Sequence, residues 1–121
     1  MRIYISHSKD IDFVTELYDS IRKSNIYKKN KVFLPYLNKY KPISTKDIIK
    51  SADLFIAEVS QPSTGQGIEL GWANLFNIPI ICIYKKNNGP SSRSLKFLTK
   101  DFIVYRNFED LIKKLLLVIN K

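Results

Sequence analysis

Ten consecutive residues, Ser60-Gln61-Pro62-Ser63-Thr64-Gly65-Gln66-Gly67-Ile68-Glu69, bring hydroxyls, two glycines and a carboxylate together. Glycine lets backbone N–H groups approach a ligand closely. A helix start behind such a loop favours an anion. The sequence predicts a helix from about Gly67 to Phe76, which puts Glu69 in its first turn. There the macrodipole keeps a carboxylate ionised. An ionised carboxylate at a pocket mouth can attack an electrophilic sugar carbon. Position alone leaves a second reading open, because glutamate in a first turn also simply stabilises its helix.

Other chemistries find less support. Gly-x-x-x-x-Gly-Lys-Ser/Thr is absent, and Gly65-Gln66-Gly67 has no third glycine in register for a dinucleotide fingerprint. One histidine (His7) and one cysteine (Cys82) lie far apart, so no metal site is expected. His7 reads as a polar residue at the site edge or a local hydrogen-bonding group. No Gly-x-Ser-x-Gly elbow exists for a Ser-His-acid triad.

The elements that must carry the loop alternate between strand and helix. Met1–Ser6 reads as a strand with Ile3 and Ile5 on one face. Val14, Leu17, Tyr18 and Ile21 form the buried stripe of a helix, with Asp10 expected as its N-cap. Residues 28–31 read as a polar turn, Val32–Leu34 as a strand ended by Pro35, and 36–43 as a loop with Asn38 and Pro42 as breakers. Ser44 and Asp47 form a capping-box pattern before a short helix. Asp53–Val59 reads as a strand buried on both faces. Asn77 is expected as a left-handed cap, followed by strand Ile80–Tyr84, a loop over 85–92 and one or two helical turns over Ser94–Leu98. Phe102–Tyr105 and an Asn107-capped helix complete the pattern, with Leu111, Ile112, Leu115, Leu116 and Ile119 on its core side.

Five strands joined by helices imply an α/β, doubly wound parallel sheet of order 2-1-3-4-5. Such sheets bind ligands beyond the strands' carboxyl ends, at the switch between strands 1 and 3. That rule selects Ser6–Asp10 and Ser60–Glu69. The length of 121 residues suits a single domain over 1–121. The net charge of +9, from 20 basic and 11 acidic residues, favours anionic partners such as nucleotides. Lys28, Lys29 and Lys31 form the one tight basic cluster and read as solvated surface. Nucleic acid is not expected, since no basic and aromatic stripe is present. No apolar run approaches a membrane span, the N-terminus lacks a secretory apolar region, and the lone Cys82 fits a cytoplasmic protein.

The stretch from Ala52 to Ala73, with its Asp-led apolar strand, Ala57-Glu58-Val59, Pro62-Ser63-x-Gly65-x-Gly67 and Glu69-Leu70-Gly71-x-Ala73, resembles the nucleoside 2-deoxyribosyltransferase family. It is especially similar to the 2'-deoxynucleoside 5'-phosphate N-hydrolase branch. Asn77–Tyr84 and Ile3–Ser6 continue the likeness. The resemblance implies a flavodoxin-like fold and cleavage of an N-glycosidic bond through a covalent deoxyribosyl-Glu69 ester, resolved by water or a second base. It implies no cofactor, a small nucleoside or nucleotide substrate, and a homodimer or higher homo-oligomer. Glu69 matches the nucleophile and Tyr4 the tyrosine that orients it. Ser63, Gly65 and Gly67 match the substrate-binding loop, and Ser6, His7 and Ser8 fall on the corresponding loop after strand 1. Ser8 and Lys9 can bind phosphate there, whereas Asp10 and Asp12 oppose it. The family's leaving-group aspartate falls at Thr45. Asp47, two residues on, takes its place as the third catalytic residue or else caps its helix. Ser91–Ser94 correspond loosely to a segment that reaches a neighbouring subunit's pocket.

A second resemblance competes. Ile3–Val14 looks like the first strand and helix of Toll/interleukin-receptor (TIR) domains, which signal or cleave the nicotinamide–ribose bond of NAD. A third reading is a nucleotide-binding domain without activity.

Overall fold

A computed structural model of the chain describes residues 1–37 and 44–120. Strand β1 (Arg2–His7) is an interior strand, one in from the β2 edge, of a five-stranded, all-parallel sheet of order β2-β1-β3-β4-β5, the order read from the sequence. Its neighbours are β2 (Lys31–Phe33) and β3 (Leu54–Glu58), and β4 (Ile80–Lys85) and β5 (Phe102–Tyr105) follow outward.

Successive strand side chains alternate between faces, and β1 uses that rule to serve two cores. Ile3 and Ile5 pack on one side with Leu17, Tyr18 and Ile21 of α1 (Val14–Arg22) and Leu111 and Leu115 of α5 (Phe108–Ile119). Tyr4 packs on the other side with Ile49 of α3 (Thr45–Lys50) and Leu70 and Ala73 of α4 (Thr64–Leu75). All five residues of β3 are buried, as its apolar run predicts, including the charged Glu58 at its end. The register sets Tyr4 opposite Phe33 on one side and Phe55 on the other. Its ring stacks between theirs, with centroids 5.3 Å from each.

Several helix boundaries differ from expectation. α1 starts at Val14, and Asp10 does not cap it. Instead the Asp10 N–H donates to Ser8 Oγ, and the turn this makes drops Ile11 into the core. Burying such a side chain yields about 1.5–3 kcal/mol, more than the ~1 kcal/mol of a typical cap. Part of the expected polar turn over 28–31 is helical, within α2 (Asn25–Lys29), because Ser24 Oγ accepts from the Ile26 N–H and caps a turn that buries Ile26. α4 begins at Thr64, one turn before Gly67, since Ser63 is its N-cap and accepts from the Gln66 N–H. Asn77 is left-handed as expected, with φ 59°. The Ile78 N–H reaches Ala73 O and the Asn77 N–H reaches Asn74 O, the paired closing bonds of a Schellman motif. The breakers Asn38 and Pro42 lie outside the described residues. No helix among the described residues is long and apolar enough to cross a membrane.

Candidate active site

Tyr4 and Ser6 stand two residues apart on β1 and therefore face the same way. Both reach one carboxylate: Tyr4 Oη donates to Glu69 Oε2 at 2.8 Å and Ser6 Oγ donates to Oε1 at 2.9 Å. Opposite Ser6 the register places Ala57, so small side chains leave room for the carboxylate under α4. Each Glu69 oxygen accepts one bond and keeps a second lone pair. Burial pushes the Glu69 pKa above its ordinary 4.5, while the two hydroxyl donors pull against that rise. Glu69 is the sixth residue of α4 and lies in its second turn, so the expected first-turn macrodipole effect gives way to burial and hydrogen bonding. Tyr4 is held strongly protonated by burial and by the adjacent Glu69 charge.

A cleft of about 450 Å³ opens beside Glu69 at the carboxyl ends of β1 and β3. Its walls include His7, Tyr36, Ser63 and Gly65, with Lys9 and Asp10 bringing opposite charges to it. His7 Nδ1 lies 2.9 Å from Ser8 O, and Nε2 lies 2.6 Å from Tyr18 Oη. A carbonyl can only accept, so Nδ1 carries the proton and Nε2 accepts from Tyr18. Burial lowers the His7 pKa and keeps the ring neutral. Tyr18 Oη in turn accepts from the Tyr36 N–H at 3.2 Å, pinning the segment after β2 against the site. The Tyr36 ring stands edge-on to His7, with centroids 4.9 Å apart.

The expected site residues thus divide. Glu69, Tyr4 and Ser6 meet directly, and His7, Ser63 and Gly65 line the cleft. Ser6 is fully buried behind the carboxylate, with its hydroxyl committed to Glu69. Ser8 is also fully buried, and its Oγ holds the turn at Asp10. Gly67 is exposed on α4 outside the cleft lining. Asp47 is exposed at the start of α3, where its carboxylate accepts from Ser44 Oγ at 2.8 Å and its N–H donates back to Ser44. It borders a different cleft, of about 430 Å³, near the amino ends of β1 and β2. The sequence reading missed Tyr18 and Tyr36. The sequence shows Tyr18 only as part of an apolar stripe, although a buried tyrosine hydroxyl seeks a partner.

No family model matches the chain. A Syntrophotalea carbinolica relative, provisionally named 2'-deoxynucleoside 5'-phosphate N-hydrolase 1, is 56% identical over 36 residues, 30% of this chain and 25% of that protein. The Homo sapiens 5-hydroxymethyl-dUMP N-hydrolase is 46% identical over 41 residues, 34% of this chain and 24% of that protein. The chain therefore spans about a quarter of these relatives' length. The 5-hydroxymethyl-dUMP N-hydrolase of Branchiostoma floridae is 31% identical over 70 residues, which cover 50% of this chain and 67% of that protein. The chain belongs to the nucleoside 2-deoxyribosyltransferase family. Its sheet shares the family's fold. A Clostridium botulinum CMP N-glycosidase superposes with TM-score 0.69 at 23% identity, covering 95% of this chain and 98% of that one. A 2-deoxyribosyltransferase from Bacillus psychrosaccharolyticus superposes with TM-score 0.55 at 17% identity, covering 92% and 90%. The TIR-like reading of the N-terminus has no counterpart among these deoxyribosyltransferase-type relatives.

Proposed function

We propose that this protein cleaves the N-glycosidic bond of 2'-deoxynucleosides or their 5'-monophosphates through a covalent deoxyribosyl-Glu69 intermediate. One observation carries the reading: a carboxylate oriented by Tyr4 and Ser6 sits on the wall of a cleft at the sheet's switch point. A free lone pair on Glu69 bonds to C1' of the sugar. The C1'–N bond breaks, and its electron pair leaves with the base, which takes up a proton. Water, or the nitrogen of a second base, then bonds to C1' and loses a proton, and the ester C–O bond breaks to return the Glu69 carboxylate. This double displacement is the logic of retaining glycosidases.

Ser63 and the backbone at Gly65 lie at the amino end of α4, where N–H groups favour a phosphate or sugar oxygen. Lys9 adds a positive charge to the cleft lining. In this reading Asp47 caps α3, and Glu69 and Tyr4 carry the chemistry. A homo-oligomer is part of the proposal, supported by the family and by Ile68 and Leu75 exposed on α4; sedimentation velocity checks it.

The test incubates the protein with deoxynucleosides, their 5'-monophosphates, CMP and NAD, with and without an acceptor base. Free base from the deoxy substrates, lost in Glu69→Gln, supports the reading. Nicotinamide release, or no turnover by folded protein, overturns it. Intact mass after a slow 2-fluoro sugar substrate tests the covalent ester.

A further inference from the structure

Glu58, the last residue of β3, is a carboxylate with no exposed surface in an otherwise apolar strand. A buried charge is costly unless every lone pair in reach is matched, and here the matching is dense. Oε1 accepts the Ser60 N–H at 2.7 Å, and Oε2 accepts Ser60 Oγ at 2.9 Å together with the Tyr105 hydroxyl from β5. Ser60 Oγ also accepts the Lys85 N–H at 3.0 Å, which ties the same point to β4. The Glu58 carbonyl accepts Gln66 Nε2 at 2.8 Å. Residues 58 to 66 thus form a hoop closed at both ends, with its base on three strands and its far end on the first turns of α4. Glu69 follows Gln66 by three residues on that helix. An apolar side chain would fill the core at position 58 as well as a carboxylate does. What the carboxylate adds is fixed loop geometry. Burial raises its pKa, and its three donors together with the nearby Lys85 charge oppose that rise.

We propose that Glu58 is a positioning residue: its buried carboxylate locks the β3–α4 loop in the shape that aims Glu69 at Tyr4 and Ser6. The inference rests on the proposed reaction for its kinetic consequence, but its structural consequence stands apart. Glu58→Gln keeps the size and replaces an acceptor oxygen with an N–H donor. With the amide nitrogen at the Oε1 position the Ser60 N–H faces another donor, and with it at the Oε2 position the Ser60 and Tyr105 hydroxyls must turn from donating to accepting, so neither orientation keeps the network as it is.

In Glu58→Gln, kcat/KM for base release is expected to fall about 10- to 100-fold, the scale of a misplaced reacting group. Adding Tyr4→Phe to Glu58→Gln should then cost less than Tyr4→Phe costs alone, because the Tyr4–Glu69 bond is already impaired. A merely structural role would lower stability and leave the two losses multiplicative. A crystal structure of Glu58→Gln should show Glu69 beyond hydrogen-bond distance of Tyr4 or Ser6. Glu69 keeping both bonds in that variant overturns the proposal, as do multiplicative losses. If the wild-type protein releases no base, the reaction fails, while the crystal structure still decides the role of Glu58. Should Glu58→Gln not fold, Tyr105→Phe removes one donor from the far end of the network, and the same cycle and structure decide the question with a smaller loss expected.

Discussion

In the proposed reaction Glu69 must be ionised to attack and desolvated to attack well, and its surroundings balance the two. Burial raises its pKa, and the Tyr4 and Ser6 hydroxyls stabilise the charged form. Glu69→Gln is expected to lower base release by about 10³-fold or more, as losing a covalent nucleophile does. Tyr4→Phe removes one hydrogen bond to a charged group, about 1.5–3 kcal/mol, so a 10- to 100-fold loss in kcat/KM is expected. The sign in pH is also fixed. Protonating Glu69 stops attack, so activity falls on the acid side, with a limb above the ordinary 4.5. Without the Tyr4 donor the charged form is less favoured, and the limb moves to higher pH. A limb that stays put or moves down separates Tyr4 from the Glu69 charge. His7 gives a second pH signature, in stability. Its pKa is depressed below 6.5 by burial, so the unfolded chain takes up a proton that the folded chain refuses. The stability His7 contributes is full above 6.5 and is lost as pH falls toward the folded pKa. Urea midpoints measured across that window should decline with falling pH, and His7→Gln should flatten the slope.

The helices show why some of the site was legible in the sequence and some was not. The Ile3 and Ile5 spacing in β1 and the apolar run of β3 are strong local signals, and both strands fall where they are expected. The capping signals were ambiguous in kind. Ser44 and Asp47 fit both a capping box and the seat of a catalytic acid; in the structure Ser44 caps the Asp47 N–H and its hydroxyl donates to the Asp47 carboxylate, a side-chain variant of the box. Ser63 was read as a substrate ligand and is also the cap that starts α4, and that one-turn shift moved Glu69 out of the first turn. Glu58 passed as part of an apolar strand, since its partners come from β5 and the β3–α4 loop and only the fold brings them together. The Asp47 assignment is testable. Ser44→Ala should cost about 1 kcal/mol of stability. Asp47→Asn, at an exposed position, should change stability by about 0.5 kcal/mol or less and leave base release near the wild-type rate. A hundredfold loss of release from folded Asp47→Asn would return Asp47 to the chemistry.

The sheet joins both cores to one site. His7 reaches Tyr18 on the α1 and α5 side, while Tyr4 and Ser6 reach Glu69 on the α4 side, so one strand, β1, joins the two faces at the site. The alternation of strands and helices made this arrangement legible, because a parallel sheet must cover both faces. The identity of the cleft walls was not legible, because Tyr36 enters through a hydrogen bond to a helix on the opposite side of β1 from Glu69. A site built across a shared interior strand should not melt in halves. Trp72, the chain's single tryptophan, packs against the α3 and α4 core, so its fluorescence reports that face alone. Far-UV circular dichroism reports all the helices. In urea the two signals are expected to change at one midpoint, and base release should vanish with them, as in a two-state domain. An earlier Trp72 transition, with helical signal persisting, would mean that α4 can leave the sheet. Glu69 would then be positioned by an element that opens on its own, and the wall formed by His7 and Tyr36 would outlast the nucleophile it faces.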